Sequence, residues 1–145
     1  MTDQLPQGYY AEDDAGAWQP LKQVQLAHVI GDGAVVLRSV LYIDAAGGQH
    51  LAPVGLATDG GSKPKLSWAV FGHPYDPHYL PAYVVHDAGC EAALRVFQMD
   101  QARGRELRLH ADRTFREGVL HLGASAWRAA SYYRAVRAGA WWAMR

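Results

Sequence analysis

The chain has 145 residues and a mass of 15.9 kDa, with 50% apolar and 19% charged residues. Half of the residues can therefore enter a core, which excludes a chain that is disordered throughout. The net charge is zero, yet residues 1–94 hold ten acidic and four basic groups, whereas residues 95–145 hold ten arginines and four acidic groups. The two parts either neutralise each other in the fold or leave a basic face for phosphate or an anionic lipid surface.

The cysteine count and the first residues limit the possible disulfides, metal clusters and targeting segments of the protein. The single cysteine, Cys90, excludes an intrachain disulfide and a thiolate zinc cluster. Lying one turn after His86, it either fills the core or forms a Cys/His nucleophile. The first 14 residues are polar and acidic, and no run of about 18 apolar residues occurs. We therefore expect neither a signal peptide nor a transmembrane segment.

The first third of the chain carries β-strand patterns after an irregular start. Residues 1–17 are acidic and contain glycines, so we expect an irregular arm there. Alternating or β-branched stretches that predict strands follow at 21–29, 34–43 and 49–56, the last broken by Pro53. These stretches predict a small antiparallel sheet between about residues 21 and 57.

The rest of the chain predicts a long loop and then helices. Glycines and prolines punctuate 58–79, and a loop of about 20 residues inside a domain is usually functional. Helical spacing of apolar residues predicts helices over 80–99, 104–122 and 125–144, with Gly123 ending the second and Ser125 capping the third. The sequence therefore predicts one α+β domain over 1–145: a small N-terminal antiparallel sheet, a long irregular loop, and two to three C-terminal helices.

Two adjacent ionisable residues, His86 and Asp87, lie within the apolar first helix. Burying either without a partner costs several kcal/mol, roughly, and helix neighbours point about 100° apart, so they need separate partners. Asp112 shares a face of the second helix with a core aromatic residue, so it can accept the ring N–H of His86 and raise its basicity. The alternative is a solvated ion pair of Asp112 with Arg108 or Arg116.

A third candidate element begins the irregular loop, as Thr-Asp-Gly-Gly-Ser over residues 58–62. Its glycines permit close approach of the backbone. Carbonyls of Asp59, Gly60 and Gly61, together with a carboxylate from Asp87 or Asp59, would form an all-oxygen site. Such ligands favour a hard cation, so these residues are candidate ligands for calcium. The same string is also typical of an ordinary turn.

Five short motifs follow one another over about residues 50–145: Pro53-Val-Gly55, Thr58-Asp59-Gly-Gly-Ser62-x-Pro64, Val84-Val85-His86-Asp87, Ala111-Asp112-x-x-Phe115 and Ala135-Val136-Arg137. In these motifs the chain resembles a phage-encoded family, domain-of-unknown-function family 1353. The resemblance implies a phage or prophage origin. It also implies other phage proteins as partners and a location in the virion or the host cytoplasm.

A second, looser resemblance concerns chemistry. The order T-D-G-x-S, then H-D, then A-D-x-x-F is similar to that of the secreted prokaryotic and parvoviral phospholipases A2. This similarity implies that His86 activates water, that Asp112 orients His86, and that Asp87 binds calcium with the loop at 59–61. The cysteines of many of those enzymes are missing, and Cys90 stands where they have tyrosine, which removes a hydrogen bond to the second-helix aspartate.

Two hypotheses from different classes follow. In the first, the protein is a calcium-dependent, phospholipase A2-like ester hydrolase with His86 and Asp112 as catalytic residues, and membrane lipid is a partner. In the second, it is a non-catalytic virion component of the tail or head–tail region, in which the same residues form a buried polar network. Nucleic acid is not an expected partner, and the oligomeric state stays open.

Overall fold

The computed structural model describes residues 4–28, 33–58 and 77–145, which form an α+β fold. Antiparallel strands occupy the N-terminal half and helices follow, as the sequence predicts. In these described ranges the elements are β1 (Gly8–Glu12), β2 (Trp18–Pro20), β3 (Leu26–His28), β4 (Ala34–Val36), β5 (Val40–Ile43), β6 (Gln49–Ala52), β7 (Ala57–Thr58), α1 (Leu80–Phe97), α2 (Gln101–His121) and α3 (Ala126–Ala143).

The described strands form two antiparallel sheets in place of the single one expected. One has the order β2-β1-β5-β6 and the other the order β3-β4-β7. The continuous strand expected over 34–43 is divided, because the chain bends between β4 and β5 and passes from one sheet to the other. Val36 and Val40 on either side of the bend are buried, whereas Leu37 is half exposed. The bend thus keeps both valines in the core.

The expectation of an irregular arm over 1–17 is wrong for residues 8–12, because they form strand β1. This strand pairs with β5 and places Tyr9 opposite Tyr42, with ring centroids 4.5 Å apart. Successive side chains of a strand point to opposite faces. Tyr9 therefore enters the main core, and Tyr10 packs in a second cluster with Leu41.

The three described helices follow the predicted pattern closely. Ser125 caps the N-terminus of α3. Gly123 adopts φ +95°, a left-handed conformation that terminates α2. Helix α2 begins at Gln101, earlier than the expected Gly104, because the side chain of Asp100 accepts a backbone N–H of the first turn. None of these helices combines the length and apolarity needed to cross a bilayer.

Helices α1 and α2 form a hairpin against the four-stranded sheet, and one of their close contacts lies beside the candidate site. A Cβ placed on Gly89 would lie 2.8 Å from the Cβ of Ala111. Gly89 follows His86 by nearly one turn, and Ala111 directly precedes Asp112. The close packing of the two helices therefore brings His86 and Asp112 together.

Candidate functional site

His86 on α1 and Asp112 on α2 form a buried hydrogen bond. The Nε2 atom of His86 lies 2.6 Å from Oδ1 of Asp112, and the two side chains are 7% and 0% exposed. The expected contact between these residues is thereby confirmed. Because the carboxylate accepts the proton on Nε2, the neutral ring carries its lone pair on Nδ1.

Two arginines also bind the carboxylate of Asp112. Arg108 Nε donates to Oδ1 at 2.9 Å, and Arg137 Nη1 on α3 donates to Oδ2 at 2.7 Å. The sequence offered Asp112 either a bond to His86 or a solvated ion pair with an arginine. The structure shows the bond to His86 together with an ion pair to Arg108, but that ion pair is buried. Sequence reasoning did not identify Arg137 as a partner, and its only signal was its place in the Ala-Val-Arg motif.

The charge state of Asp112 follows from these partners. Burial by itself raises the pKa of the carboxyl, but the hydrogen bond and charge of His86, and then those of Arg108, act in the opposite direction. The net pKa of Asp112 lies below its ordinary value. Asp112 is therefore ionised at neutral pH and serves as a fixed anion among three donors.

Cys90 is half-buried, which differs from the buried filler that the sequence suggests. Its Sγ lies 3.4 Å from Nε2 and 3.7 Å from Nδ1 of His86. A thiol hydrogen-bonded in the ring plane to one nitrogen would be much farther from the other. The sulfur therefore lies over the imidazole face, and this geometry does not favour a Cys/His nucleophile.

His86, Cys90 and Asp112 together could hold a metal ion. Each offers one ligand atom, and these atoms lie within 4.8 Å of one another. A nitrogen, sulfur and oxygen donor set suits a borderline transition metal better than a hard cation. An ion at this cluster would compete with Arg108 and Arg137 for the carboxylate oxygens.

Asp87 lies beside the start of the expected calcium loop. The hydroxyl of Thr58, the last residue of β7, donates to Oδ2 of Asp87. Asp59, Gly60 and Gly61 lie outside the described residues, so their role as ligands stays a prediction. The carboxylate faces an open cavity of about 440 Å³, which Cys90 and Glu91 also line.

His86 lines a different cavity, of about 150 Å³, between β6 and the hairpin of α1 and α2. Adjacent residues of a helix point about 100° apart, which explains why His86 and Asp87 reach separate spaces. Two further histidines, His50 and His110, line the same cavity as His86. The structure thus adds two imidazole groups that the sequence analysis did not select.

His50 belongs to a second Asp–His pair. Its Nε2 lies 2.7 Å from Oδ2 of Asp44, and backbone N–H groups of Gly48 and Ala46 bind Oδ1 of the same carboxylate. Burial raises the pKa of Asp44, but the hydrogen bonds from His50 and Gly48 outweigh that effect, so its pKa is lowered overall. The signal for this pair was the short glycine turn between Asp44 and His50.

Comparison with known proteins places the chain in a family. The family model described as "Protein of unknown function (DUF1353)" matches residues 34–136, and the chain belongs to that family. It is similar to "Uncharacterized protein y4jT" of Sinorhizobium fredii (strain NBRC 101917 / NGR234), with 32% identity over 84 residues. The alignment covers 58% of this chain and 22% of that relative, so the chain spans about a fifth of its length. No solved structure matches the chain.

Proposed function

We propose that this member of the DUF1353 family is an ester hydrolase in which His86 is the general base. The observation that carries the proposal is the 2.6 Å hydrogen bond between His86 Nε2 and Asp112 Oδ1. The carboxylate holds the proton on Nε2, so Nδ1 can take a proton from water. The ring also packs against Phe115, with centroids 4.9 Å apart, which restricts its orientation.

The proposed reaction uses one proton transfer in each direction. Water loses a proton to Nδ1 of His86 as its oxygen attacks the ester carbonyl. The tetrahedral intermediate then collapses, the carbon–oxygen bond to the alcohol breaks, and the leaving oxygen takes the proton back from His86. Asp112 stabilises the imidazolium form between these steps. The products are a carboxylic acid and an alcohol.

The finer proposal is calcium-dependent, phospholipase A2-like chemistry. Asp87 supports it, because its carboxylate follows His86 directly and binds Thr58, the residue before Asp59, Gly60 and Gly61. Carboxylate and backbone carbonyl oxygens are the ligands that calcium prefers. Calcium held there would polarise the carbonyl of an ester that reaches from the Asp87 cavity past Cys90, which lines that cavity and contacts His86. The resemblance to phage-encoded proteins extends the proposal to a phage or prophage protein of the virion or host cytoplasm, with phage proteins and membrane lipid as partners.

A second candidate function is a structural virion component, at the tail or head–tail region. It is favoured by the two arginines on Asp112, since Arg108 and Arg137 complete a network that joins α2 and α3, while His86 joins α1. A buried carboxylate with three donors fixes the packing of three helices without any reaction.

Turnover of a fluorescent phospholipid, with calcium or with a chelator, separates the two candidates. We expect turnover in calcium that falls about 100-fold or more in His86→Gln and is lost in Asp87→Asn, with thermal midpoints close to that of the parent. His121→Gln is the control, because this exposed histidine at the end of α2 contacts neither Asp87 nor Asp112 in the described residues. An inactive parent together with a strongly destabilised His86→Gln would establish the structural role instead.

A further inference from the structure

We propose that His50 and His110 bind a divalent transition-metal ion, with zinc as the first choice, in the 150 Å³ cavity that His86 also lines. This site differs from the cluster of His86, Cys90 and Asp112 and from the calcium ligands proposed around Asp87. It lies between strand β6, which carries His50, and helix α2, which carries His110. The proposal does not depend on ester hydrolysis, because metal affinity is measured directly.

The spacing of the two rings fits a shared ion. The ring centroids of His50 and His110 are 5.4 Å apart, and the ring planes are tilted by 37°. A zinc–nitrogen bond of about 2.0–2.1 Å places each ring centre about 3.2 Å from the ion. Two centres at the observed separation then subtend an angle of about 115° at the ion, which is close to tetrahedral.

The surroundings of His50 provide the support that metal-binding histidines usually have. Asp44 accepts from Nε2 of His50 at 2.7 Å, and two backbone N–H groups hold the carboxylate in place. A histidine that ligates a metal usually donates its other ring N–H to such a carboxylate. The Nδ1 atom of His50 is therefore the ligand. In the described part of the chain, no hydrogen bond occupies Nδ1 of His50 or either ring nitrogen of His110.

The cavity leaves room for the remaining ligands. Small side chains on both helices, such as Ala92 and Ala111, form its wall beside Gly89. Two imidazoles leave two tetrahedral positions for water or for donor atoms of a small molecule. Imidazole donors select zinc, copper or nickel over calcium or magnesium, which prefer oxygen ligands. The ion would thus face the same space as His86.

Zinc competition against a chromophoric chelator tests the site on the whole chain. We expect the parent to bind one zinc ion per chain through these two histidines. The affinity for zinc should be at least tenfold lower in His50→Gln and in His110→Gln. Asp44→Asn should weaken zinc binding about 10–100-fold by releasing His50. His110 is exposed, so its replacement leaves the fold intact even if changes at His50 or Asp44 do not. His121→Gln, at an exposed histidine outside the cavity, should bind zinc like the parent.

Cys90→Ser distinguishes this site from the nearby thiol cluster. We expect Cys90→Ser to retain the zinc ion, and the cobalt-substituted parent to lack a sulfur-to-cobalt charge-transfer band. Zinc that is lost in Cys90→Ser but retained in His110→Gln would overturn the proposal and assign the ion to His86, Cys90 and Asp112. A parent that binds no zinc at micromolar concentration would also overturn it.

Discussion

Gly89 on α1 and Ala111 on α2 lie so close that a Cβ on Gly89 would approach the Cβ of Ala111 to 2.8 Å. Glycine within a helix is less stable than alanine by about 0.5–1 kcal/mol, so this glycine weakens α1 by itself. Its benefit is the approach of the two helices. That approach allows His86 and Asp112, on either side of the contact, to reach hydrogen-bond distance.

Gly89→Ala should therefore lower the free energy of unfolding by about 1–3 kcal/mol, because the added methyl group overpacks the contact between the two helices. This loss exceeds the gain in helix propensity. Urea denaturation measures the change, and the NMR signal of the His86 ring N–H should weaken as the bond to Asp112 lengthens. Gly139→Ala is the control, since its Cβ would meet only an Arg108 side-chain nitrogen at 3.8 Å, and it should stabilise by about 0.5–1 kcal/mol. Equal stabilisation by both changes would refute the packing argument.

Asp112→Asn should be the most damaging single change in the network. It removes the negative charge that Arg108 and His86 face in a buried site, and breaking one partner of a buried ion pair costs about 3–5 kcal/mol. Arg137→Gln should cost much less, because the side chain of Arg137 is 37% exposed, so water can take the place of the lost guanidinium. Denaturant midpoints of the two variants provide the comparison, and equal losses would contradict it.

Acid should weaken the fold through Asp112. The pKa of this carboxyl is lower in the folded protein than in the unfolded chain, where it is about 3.9. Such a group contributes stability above its unfolded pKa, and the contribution disappears as the pH falls through the folded pKa. The unfolding free energy of the parent should thus fall more steeply than that of Asp112→Asn from about pH 5 downward. Parallel pH curves for the two proteins would show that Asp112 is not the titrating group.

Glu117 joins α2 to the four-stranded sheet. Its Oε1 accepts from the Tyr42 hydroxyl at 2.8 Å and from the backbone N–H of Ala45 at 2.9 Å. Glu117→Ala removes the oxygen that accepts both hydrogen bonds and should lower the free energy of unfolding by about 1–3 kcal/mol. Glu117→Gln keeps one acceptor oxygen, so its free energy of unfolding should fall by less. If thermal melts show the two variants to be equally stable, these hydrogen bonds do not contribute.

Local patterns were sufficient for the helical half of the protein. Ser125 and Gly123 mark helix ends by backbone chemistry that acts within a few residues. The contact between His86 and Asp112 was also predictable, because both lie on apolar faces of consecutive helices and a buried charge needs a partner. In these cases the interacting groups are near in sequence or are placed by helical periodicity.

The fold class, the helices and the His86–Asp112 pair follow from patterns along the chain, whereas the packing of the folded protein sets which distant segments meet. Strand β1 exists because residues 8–12 find hydrogen-bond partners on β5, and no local pattern specifies a partner so far along the chain. The same holds for Arg137 on Asp112 and for His50 beside His110. Their distances depend on how sheet and helices pack, because close packing fixes positions that neighbouring residues leave undetermined.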